Sequence, residues 1–429
     1  MAVITISNTG GNFNSTGTWV GGVVPLTTDT IAATATSGPL TINVVSTVAG
    51  ADFTNYVSTL TINFDFSISG PIVFVNTMTI SGTAYIAATG TNTIRTNGLV
   101  IPYIRFSGTN ITRTLLDNIT ATNLLQQQGN QSITLAGSFT MSVSNFRTTG
   151  AGGGSFGWLK GLVPIVFNGA NCYYENTATN QGFTNHMIIN TPGNFTISGT
   201  AGPSGIISLS TQGTDQASTS QLTYLNGNVV GDKNLSLYYP SNNNTIGIKL
   251  NTGSMSSIWD NIYIKDAGNT TAAAANIISL LSPLRFNNMY ISAMNFIPYT
   301  TARRPVRFIG TSFLEGGTFS AQSISININT TNLQTLLPAV IQFTPNAGTT
   351  HSFTNLNIIG SPDNKASITS TTASNIGLSF SNVLLYTDLS YAQAPSLTYA
   401  FGGNLSNTIN FATASFGGGG GESSATFVN

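Results

Sequence analysis

The side chains that can do chemistry are few in this chain and lie far apart. There are two histidines, His186 and His351, and one cysteine, Cys172. A single cysteine excludes an intrachain disulfide and a zinc site built from cysteines. Because no cluster of His, Asp or Glu has metal-ligand spacing, the sequence predicts no metal site and no cofactor.

Paired carboxylates, which hydrolyse glycosidic bonds, are almost as scarce. The only glutamates are Glu175, Glu315 and Glu422, and the aspartates closest in sequence are Asp260 and Asp266. These two aspartates flank one predicted strand and would lie roughly 20 Å apart along it. That separation is too long for hydrolysis, although acids from neighbouring turns of the chain could still converge. We therefore expect no catalytic residues and no enzyme.

The glycine-rich stretch from 150 to 158 has the letters of a nucleophile elbow around Ser155. An elbow needs a strand leading in and a helix leading out, and neither is predicted here, so we interpret the match as a coincidence. The stretch is either a linker between two lobes or an excursion at a corner of a strand repeat.

Two tyrosine pairs, Tyr173–Tyr174 and Tyr238–Tyr239, lie near polar predicted loops. Aromatic rings beside amides and hydroxyls suit sugar recognition. The four tyrosines are therefore candidate glycan contacts, with packing at a corner of the fold as the alternative.

The composition excludes several classes of protein. Charged residues make up 6% of the chain and hydrophobic residues 41%, and the 13 basic and 13 acidic residues cancel. Nucleic-acid binding needs clustered cations, and only Arg303, Arg304 and Arg307 come near one another, so no nucleic-acid partner is expected. Zero net charge disfavours a free monomer and favours a chain fixed in an assembly.

The elements expected to position these residues are short strands. Apolar and polar residues alternate in brief runs such as 40–44, 60–64 and 139–143, each broken by Gly, Asn, Pro or Asp. An apolar-Thr-Ile phrase returns at intervals of roughly 20 residues, which is typical of rungs in a parallel β-solenoid. The predicted fold class is all-β, a parallel β-solenoid with polar loop insertions and an N-terminal cap.

The predicted organisation has five segments. They are a cap or attachment segment at 1–34, a first solenoid lobe at 35–150, a second lobe with loop insertions at 151–330, a C-terminal β module at 331–411 and a glycine-rich tail at 412–429. The segment 115–128 suits either a short helix or a strand, and 272–281 is the best candidate for a helix.

The expected cap contains Trp19, Gly21, Gly22, Pro25 and Asp29. A large apolar ring followed by glycines can plug the open end of a strand stack, and Asp29 is expected to bind a turn amide. This pattern resembles the N-terminal segment of many β-helical proteins of tailed bacteriophages and bacterial surfaces.

A second resemblance covers 343–410, which is similar to a C-terminal module of tailed-phage structural proteins. Phe411 stands near the place where that module carries a Trp. The matching positions are Phe353, Asn355, Leu356, Ile358, Gly360, Ile368, Ser370, Gly402, Gly403, Asn404 and Asn407.

The two resemblances imply a solenoid protein of a tailed-phage virion and name no reaction. With the scarcity of catalytic groups, we expect a non-enzymatic fibre, spike or capsid decoration. Its implied partners are other virion proteins, copies of itself in a homotrimer or other symmetric assembly, and a host-surface glycan. No signal peptide and no membrane span is predicted, so we expect synthesis in the host cytoplasm and residence in the virion. The alternatives are a polysaccharide-degrading tailspike and a bacterial surface adhesin.

Overall fold

The computed structural model describes the N-terminal half of the chain almost continuously and the C-terminal part mainly as strands. The described residues are 2–127, 133–149, 157–177, 181–183, 185–199, 207–209, 221–238, 248–252, 254–265, 278–280, 284–292, 306–308, 311–315, 318–322, 332–337, 340–344, 350–358, 367–370, 376–385, 397–401, 405–406 and 415–416. The chain forms two compact units, Met1–Ala201 with Asn226–Gly231, and Gly202–Leu225 with Asp232–Asn429.

Nearly all of the described secondary structure is β-strand, and the single helical element is one 3-10 turn at Thr16–Thr18. The strands are β1 Val3–Thr5, β2 Gly11–Asn12, β3 Thr30–Ala32, β4 Leu40–Ile42, β5 Ser46–Val48, β6 Gly50–Asp52, β7 Thr59–Ile62, β8 Phe66–Ile68, β9 Ile72–Val73, β10 Thr79–Gly82, β11 Ile86–Ala88, β12 Asn92–Arg95, β13 Val100–Ser107, β14 Ile111–Leu115, β15 Ile119–Gln127, β16 Ile133–Ala136, β17 Met141–Thr149, β18 Gly157–Gly161, β19 Ile165–Phe167, β20 Cys172–Asn176, β21 Gln181–Phe183, β22 Met187–Gly199, β23 Ile207–Leu209, β24 Leu222–Gly231, β25 Asn234–Tyr238, β26 Leu250–Asn251, β27 Trp259–Lys265, β28 Ile278–Leu280, β29 Leu284–Ser292, β30 Val306–Phe308, β31 Thr311–Glu315, β32 Thr318–Gln322, β33 Asn332–Leu337, β34 Val340–Thr344, β35 Thr350–Ile358, β36 Ser367–Ser370, β37 Ile376–Leu385, β38 Leu397–Phe401, β39 Leu405–Ser406 and β40 Ser415–Phe416.

Within each unit, strands at equivalent positions in successive turns of the chain pair in parallel, as the predicted β-solenoid requires. Leu40 pairs with Leu60, and Leu60 with Ile80, so one turn of the chain, here called a rung, takes 20 residues at this point. Later rungs are longer, since Leu237 pairs with Ile264, 27 residues on. The roughly 20-residue repeat seen in the sequence is therefore the length of the early rungs of the first unit, and the drift in spacing reflects the longer rungs that follow.

The cross-section of the first unit changes along its length. The early rungs contain three short strands, as in the order β6, β7, β8. From β14 to β17 a rung contains one short strand and one long strand, as in β14 with β15 and β16 with β17. The long strands bring more outward-facing residues of one rung into register with those of the next.

Alternation along the strands separates core from surface. Phe66, Ile86, Ile104, Leu124 and Phe146 occupy equivalent positions in five successive rungs, and all are buried. Each contributes roughly 1.5–3 kcal/mol of burial free energy by usual transfer values. A continuous apolar column therefore holds the rungs together from inside.

Two glycines are required where rungs touch at their corners. Gly82 has φ +97° and Gly161 has φ +120°, a region that side-chain-bearing residues rarely adopt. A Cβ at Gly82 would lie 2.1 Å from the carbonyl oxygen of Ile62, and one at Gly161 would lie 1.8 Å from that of Leu135. Only glycine lets the backbone turn this close to the preceding rung.

A fully buried charge lies in the first unit, near the change in cross-section. The side chain of Arg113 is fully buried and donates hydrogen bonds to the carbonyl oxygens of Ala88 at 2.6 Å, Ser107 at 2.7 Å and Gly90. Burial lowers the pKa of this guanidinium to about 10. Arg113 thus ties the ends of β11 and β13 together, and the three carbonyls offset part of the cost of burying its charge.

The N-terminal segment forms the predicted cap. After β2 the chain turns back, and Val20 donates its N–H to Thr5 O while Ser7 donates its N–H to Thr18 O, so the outer edge of the first strand is covered by antiparallel backbone. Trp19 is 2% exposed, and its indole N–H donates to the carbonyl of Phe13 at 2.8 Å. The rings of Trp19 and Phe13 meet edge to face at 5.3 Å.

Asp29 binds turn amides, as the sequence predicted. Its Oδ1 accepts the N–H of Ala2 at 2.8 Å and its Oδ2 accepts the N–H of Leu26 at 3.0 Å. These bonds, with that to Ala2 the stronger influence, lower the pKa of the Asp29 carboxyl. Gly21 and Gly22 turn the chain with φ +85° and +70°, and Pro25 is buried beside them.

The structure tests the expectations for two sequence segments and for the boundary at position 150. The segment 115–128 contains the strand β15, which settles an alternative that the sequence left open. The predicted helix at 272–281 is wrong at its C-terminal end, because Ile278–Leu280 is a strand paired with Val306–Phe308; positions 272–277 lie outside the described residues. Strand pairing continues across position 150, since β17 pairs with β19 and β20. The five-segment division otherwise stays a prediction.

Candidate functional site: an outer strip of the first unit

The four tyrosines predicted to contact glycan occupy different environments. Tyr173 lies half-exposed on the outer side of β20, whereas Tyr174 is 0% exposed and packs edge to face against Phe146 and Phe167. Strand alternation sends these neighbours to opposite faces, so the prediction for Tyr174 is wrong. Tyr238 ends β25, and its side chain, like all of Tyr239, lies outside the described residues.

Tyr173 belongs to a larger surface that we call the outer strip. Two columns of outward-facing residues run along successive rungs of the first unit. The first column contains Asp65, Tyr85, Tyr103, Asn123, Asn145 and Tyr173, and the second contains Arg105, Leu125, Arg147 and Glu175. Every member is half-exposed or exposed.

The first column places aromatic rings at both ends of an amide ladder. Tyr85 and Tyr103 meet edge to face at 5.6 Å. Asn145 donates its Nδ2–H to Oδ1 of Asn123 at 2.9 Å, and Asn123 donates to the carbonyl of Pro102 at 3.0 Å. At the far end the hydroxyls of Tyr173 and Ser198 lie 2.5 Å apart. These bonds fix the orientation of the two asparagine amides and of the Tyr173 hydroxyl.

The arginines of the second column form two ion pairs, one with Asp65 of the first column and one within the second column. Arg105 Nη1 lies 2.5 Å from Asp65 Oδ2, and Arg147 Nε lies 2.7 Å from Glu175 Oε2. The strip therefore carries two positive and two negative charges that compensate one another. Burial raises the pKa of the Tyr85 hydroxyl, while Arg147 and Arg105 act in the opposite direction, so both guanidiniums influence this ring.

The spacing of the two carboxylates argues against hydrolysis on the strip. Glu175 and Ser67 are separated by five rung steps of paired strands, and Asp65 lies two residues before Ser67. At about 4.8 Å per step the carboxylates lie roughly 24 Å apart. Retaining and inverting glycosidases need about 5 to 10 Å.

The other residues considered for chemistry have separate surroundings where the structure describes them. Asp260 pairs with Lys233 at 3.3 Å, while Asp266 and Ser155 lie outside the described residues. Cys172 is buried, and His186 lies just before β22 with its pKa lowered by burial. Within the part of the chain that the structure describes, no group of three or more His, Cys, Asp or Glu is placed to hold a metal ion.

The second unit repeats this kind of surface on a smaller scale. Asn234, Asn261 and Asn288 form an amide ladder over three rungs, with Nδ2 to Oδ1 distances of 2.6 and 3.1 Å. Beside it, Tyr263 and Tyr290 stack with ring centroids 5.2 Å apart. Columns of like residues thus occur on an outer face of each unit, but in the second unit the nearby ion pair is Lys233–Asp260 alone among the described residues.

Comparison with protein-family models, curated proteins and solved structures finds no match to this chain. The resemblances to phage modules therefore stay predictions. Among the described residues, no helix has the length and apolar character needed to cross a bilayer.

Sequence reasoning missed most of the strip. Tyr85, Tyr103, Asn123 and Asn145 are separated by 18 to 22 residues, so no local motif joins them. Aligning the repeats on their inward apolar residue would have found them, because each precedes a buried Ile, Leu or Phe by one position.

Proposed function

We propose that this chain is a non-enzymatic structural protein of a tailed-phage virion, a fibre, spike or capsid-surface decoration that contacts a host-surface glycan through the outer strip. Its partners would be other virion proteins and further copies of itself in a homotrimer or other symmetric assembly. The observation that carries the proposal is the parallel stack of the first unit, with ordered aromatic, amide and paired charged groups on its outside.

Physical features of the chain support a mechanical and adhesive role. Parallel rungs joined by an apolar column form a stiff element, and the cap protects an edge that would otherwise pair with other chains. With charged residues at 6% of the sequence, few surface contacts depend on salt. The carboxylate separation on the strip favours binding over cleavage.

The location is tested by imaging virions from a lysate of the organism that encodes the chain, labelled with antibodies raised against it. We expect label on tail fibres, spikes or the capsid surface. Label confined to the envelope of uninfected cells would overturn the virion assignment and favour a bacterial adhesin.

The absence of catalysis is tested separately. The purified chain is incubated with surface polysaccharide of the host strain, and soluble oligosaccharides are measured. We expect polymer retention without release. Oligosaccharide release that is lost in both Glu175→Gln and Asp65→Asn would favour a degrading tailspike.

A further inference from the structure

We infer that the ligand of the outer strip is a neutral oligosaccharide that lies lengthwise along the solenoid, spanning the rungs from Tyr85 to Tyr173. This inference rests on the proposed function, because it specifies the class and orientation of the glycan.

The length of the strip argues for an extended chain of sugars. Tyr103 and Tyr173 stand three rung steps apart, through Asn123 and Asn145, which is about 14 Å. A monosaccharide would cover one rung and reach only one aromatic end. An oligosaccharide aligned with the column reaches aromatic rings at both ends and amides between them.

The charges on the strip argue for a neutral ligand. Arg105 is paired with Asp65, and Arg147 with Glu175, so the strip has no net charge. An anionic sugar would have to displace a carboxylate from its guanidinium or lie beside one, and either arrangement costs free energy. A neutral sugar hydroxyl can instead donate to a carboxylate oxygen or accept from a guanidinium N–H while both pairs stay intact.

The accessible part of the second column supports this arrangement. The Arg147 side chain is 54% exposed, and its contact with Glu175 is made through Nε. Glu175 likewise binds through Oε2. Fixed donors and acceptors of this kind orient a sugar, while the nearby Tyr173 ring supplies apolar surface.

The test uses the purified full-length chain and oligosaccharide sets in two classes. The neutral set contains the di-, tetra- and hexasaccharides of the cellulose, maltose and chitin series, together with neutral polysaccharide of the host strain. The acidic set contains oligogalacturonates of the same three lengths. Affinities are measured by calorimetry at low and high sodium chloride. We expect a neutral ligand whose affinity rises from the disaccharide to the hexasaccharide and changes less than about twofold with salt.

Variants locate the ligand. Tyr103→Ala and Tyr173→Ala should each weaken binding about three- to tenfold, by loss of one aromatic contact. Tyr290→Ala is the matched control, since Tyr290 is also a half-exposed tyrosine on an outer face, and it should bind as the parent chain does.

The outcomes separate this inference from the proposed function. Preference for oligogalacturonates, with affinity that falls with salt and is lost in Arg147→Gln, overturns the neutral ligand and leaves glycan contact standing. Equal loss in Tyr290→Ala, or no binding by any oligosaccharide of either set, overturns the strip as the site. If the chain is found on virions but binds no glycan, the structural role stands. If it binds a neutral glycan but is absent from virions, only the structural role is overturned.

Discussion

The inner and outer sides of the same strands in the first unit follow opposite rules. Inside, Ile104, Leu124, Phe146 and Tyr174 stack as a dry column with 0–1% exposure. Outside, one residue earlier in each strand, the column reads Tyr103, Asn123, Asn145 and Tyr173. The inner positions need side chains large enough to fill the core, and their shapes differ from rung to rung. The outer positions need only polar or aromatic side chains that have an ordered partner. We therefore expect substitutions on the two sides to separate stability from the proposed glycan recognition.

The largest effect is expected at the pair Tyr173–Tyr174, where the inner and outer sides meet in one strand. Tyr174→Ala should lower the free energy of unfolding by about 3–5 kcal/mol, because it leaves a cavity beside Phe146 and Phe167. Denaturant unfolding of the purified chain measures the effect. A loss below about 1 kcal/mol would mean that this ring is not in the core.

A second substitution tests whether rungs touch at their corners. Gly82 and Gly98 have similar φ values, +97° and +83°, but only Gly82 faces the backbone of the preceding rung. Gly98→Ala should cost about 1–2 kcal/mol from its backbone conformation alone. Gly82→Ala should cost a further 1–3 kcal/mol, because its Cβ would overlap the Ile62 carbonyl. Equal losses in the two variants, measured by the same unfolding assay, would contradict the stacking at this corner.

At the end of the stack, the contribution of the cap to stability can be tested through Asp29. The pKa of Asp29 is lowered in the folded chain, so the unfolded chain takes up a proton at a higher pH than the folded chain does. The contribution of Asp29 to stability is therefore present above the ordinary carboxyl pKa and is lost as pH falls through the lower, folded value. Asp29→Asn should unfold at a lower temperature than the parent at pH 7, and the difference should shrink in acid.

Thermal unfolding followed from neutral pH to pH 2 measures this effect. Asp29→Ala, which removes both acceptors, should show a loss at least as large at pH 7. A difference between parent and Asp29→Asn that grows as the pH falls would contradict the hydrogen bonds that we assign to Ala2 and Leu26.

The smallest effect on stability is expected on the outer side of the tyrosine pair. Tyr173→Ala should change the free energy of unfolding by less than about 1 kcal/mol, as for most surface substitutions. Tyr173→Phe, which removes only the hydroxyl near Ser198, should change it less still. If Tyr173→Ala proves as damaging as Tyr174→Ala, the two faces of β20 are not distinct.

The fold could be predicted from the sequence more completely than the candidate site. Alternation in runs such as 60–64 and the return of the same phrase 20 residues later were enough to predict parallel rungs, because period-two burial and repeat stacking are encoded locally. The cap was also predictable, since Trp19 and the glycines after it form one contiguous motif. The helix expected at 272–281 failed at Ile278–Leu280, where pairing with the next rung overrides the helix propensity of the preceding alanines.

The strip could not be read from the sequence, because its members come together only through register. The spacing between equivalent residues varies from 18 to 28 along this column, as from Tyr85 to Tyr103 and from Asn145 to Tyr173. A fixed repeat length would have placed wrong residues in the column. Nor does the sequence alone reveal which member of Tyr173–Tyr174 faces outward; that depends on the phase of β20.

Register is therefore the claim on which the strip depends, and intrachain cross-linking tests it directly. In a chain whose only native cysteine, Cys172, is replaced by Ala, we introduce Asn123→Cys with Asn145→Cys, whose parent side chains lie 2.9 Å apart and whose adjacent strands bring the Cα atoms within disulfide range. The control pair, Asn123→Cys with Thr196→Cys, lies three rung steps apart. We predict rapid disulfide formation within the chain for the first pair and none for the control. No cross-link in the first pair, or an equally fast one in the control, would contradict the stacked register and with it the outer strip.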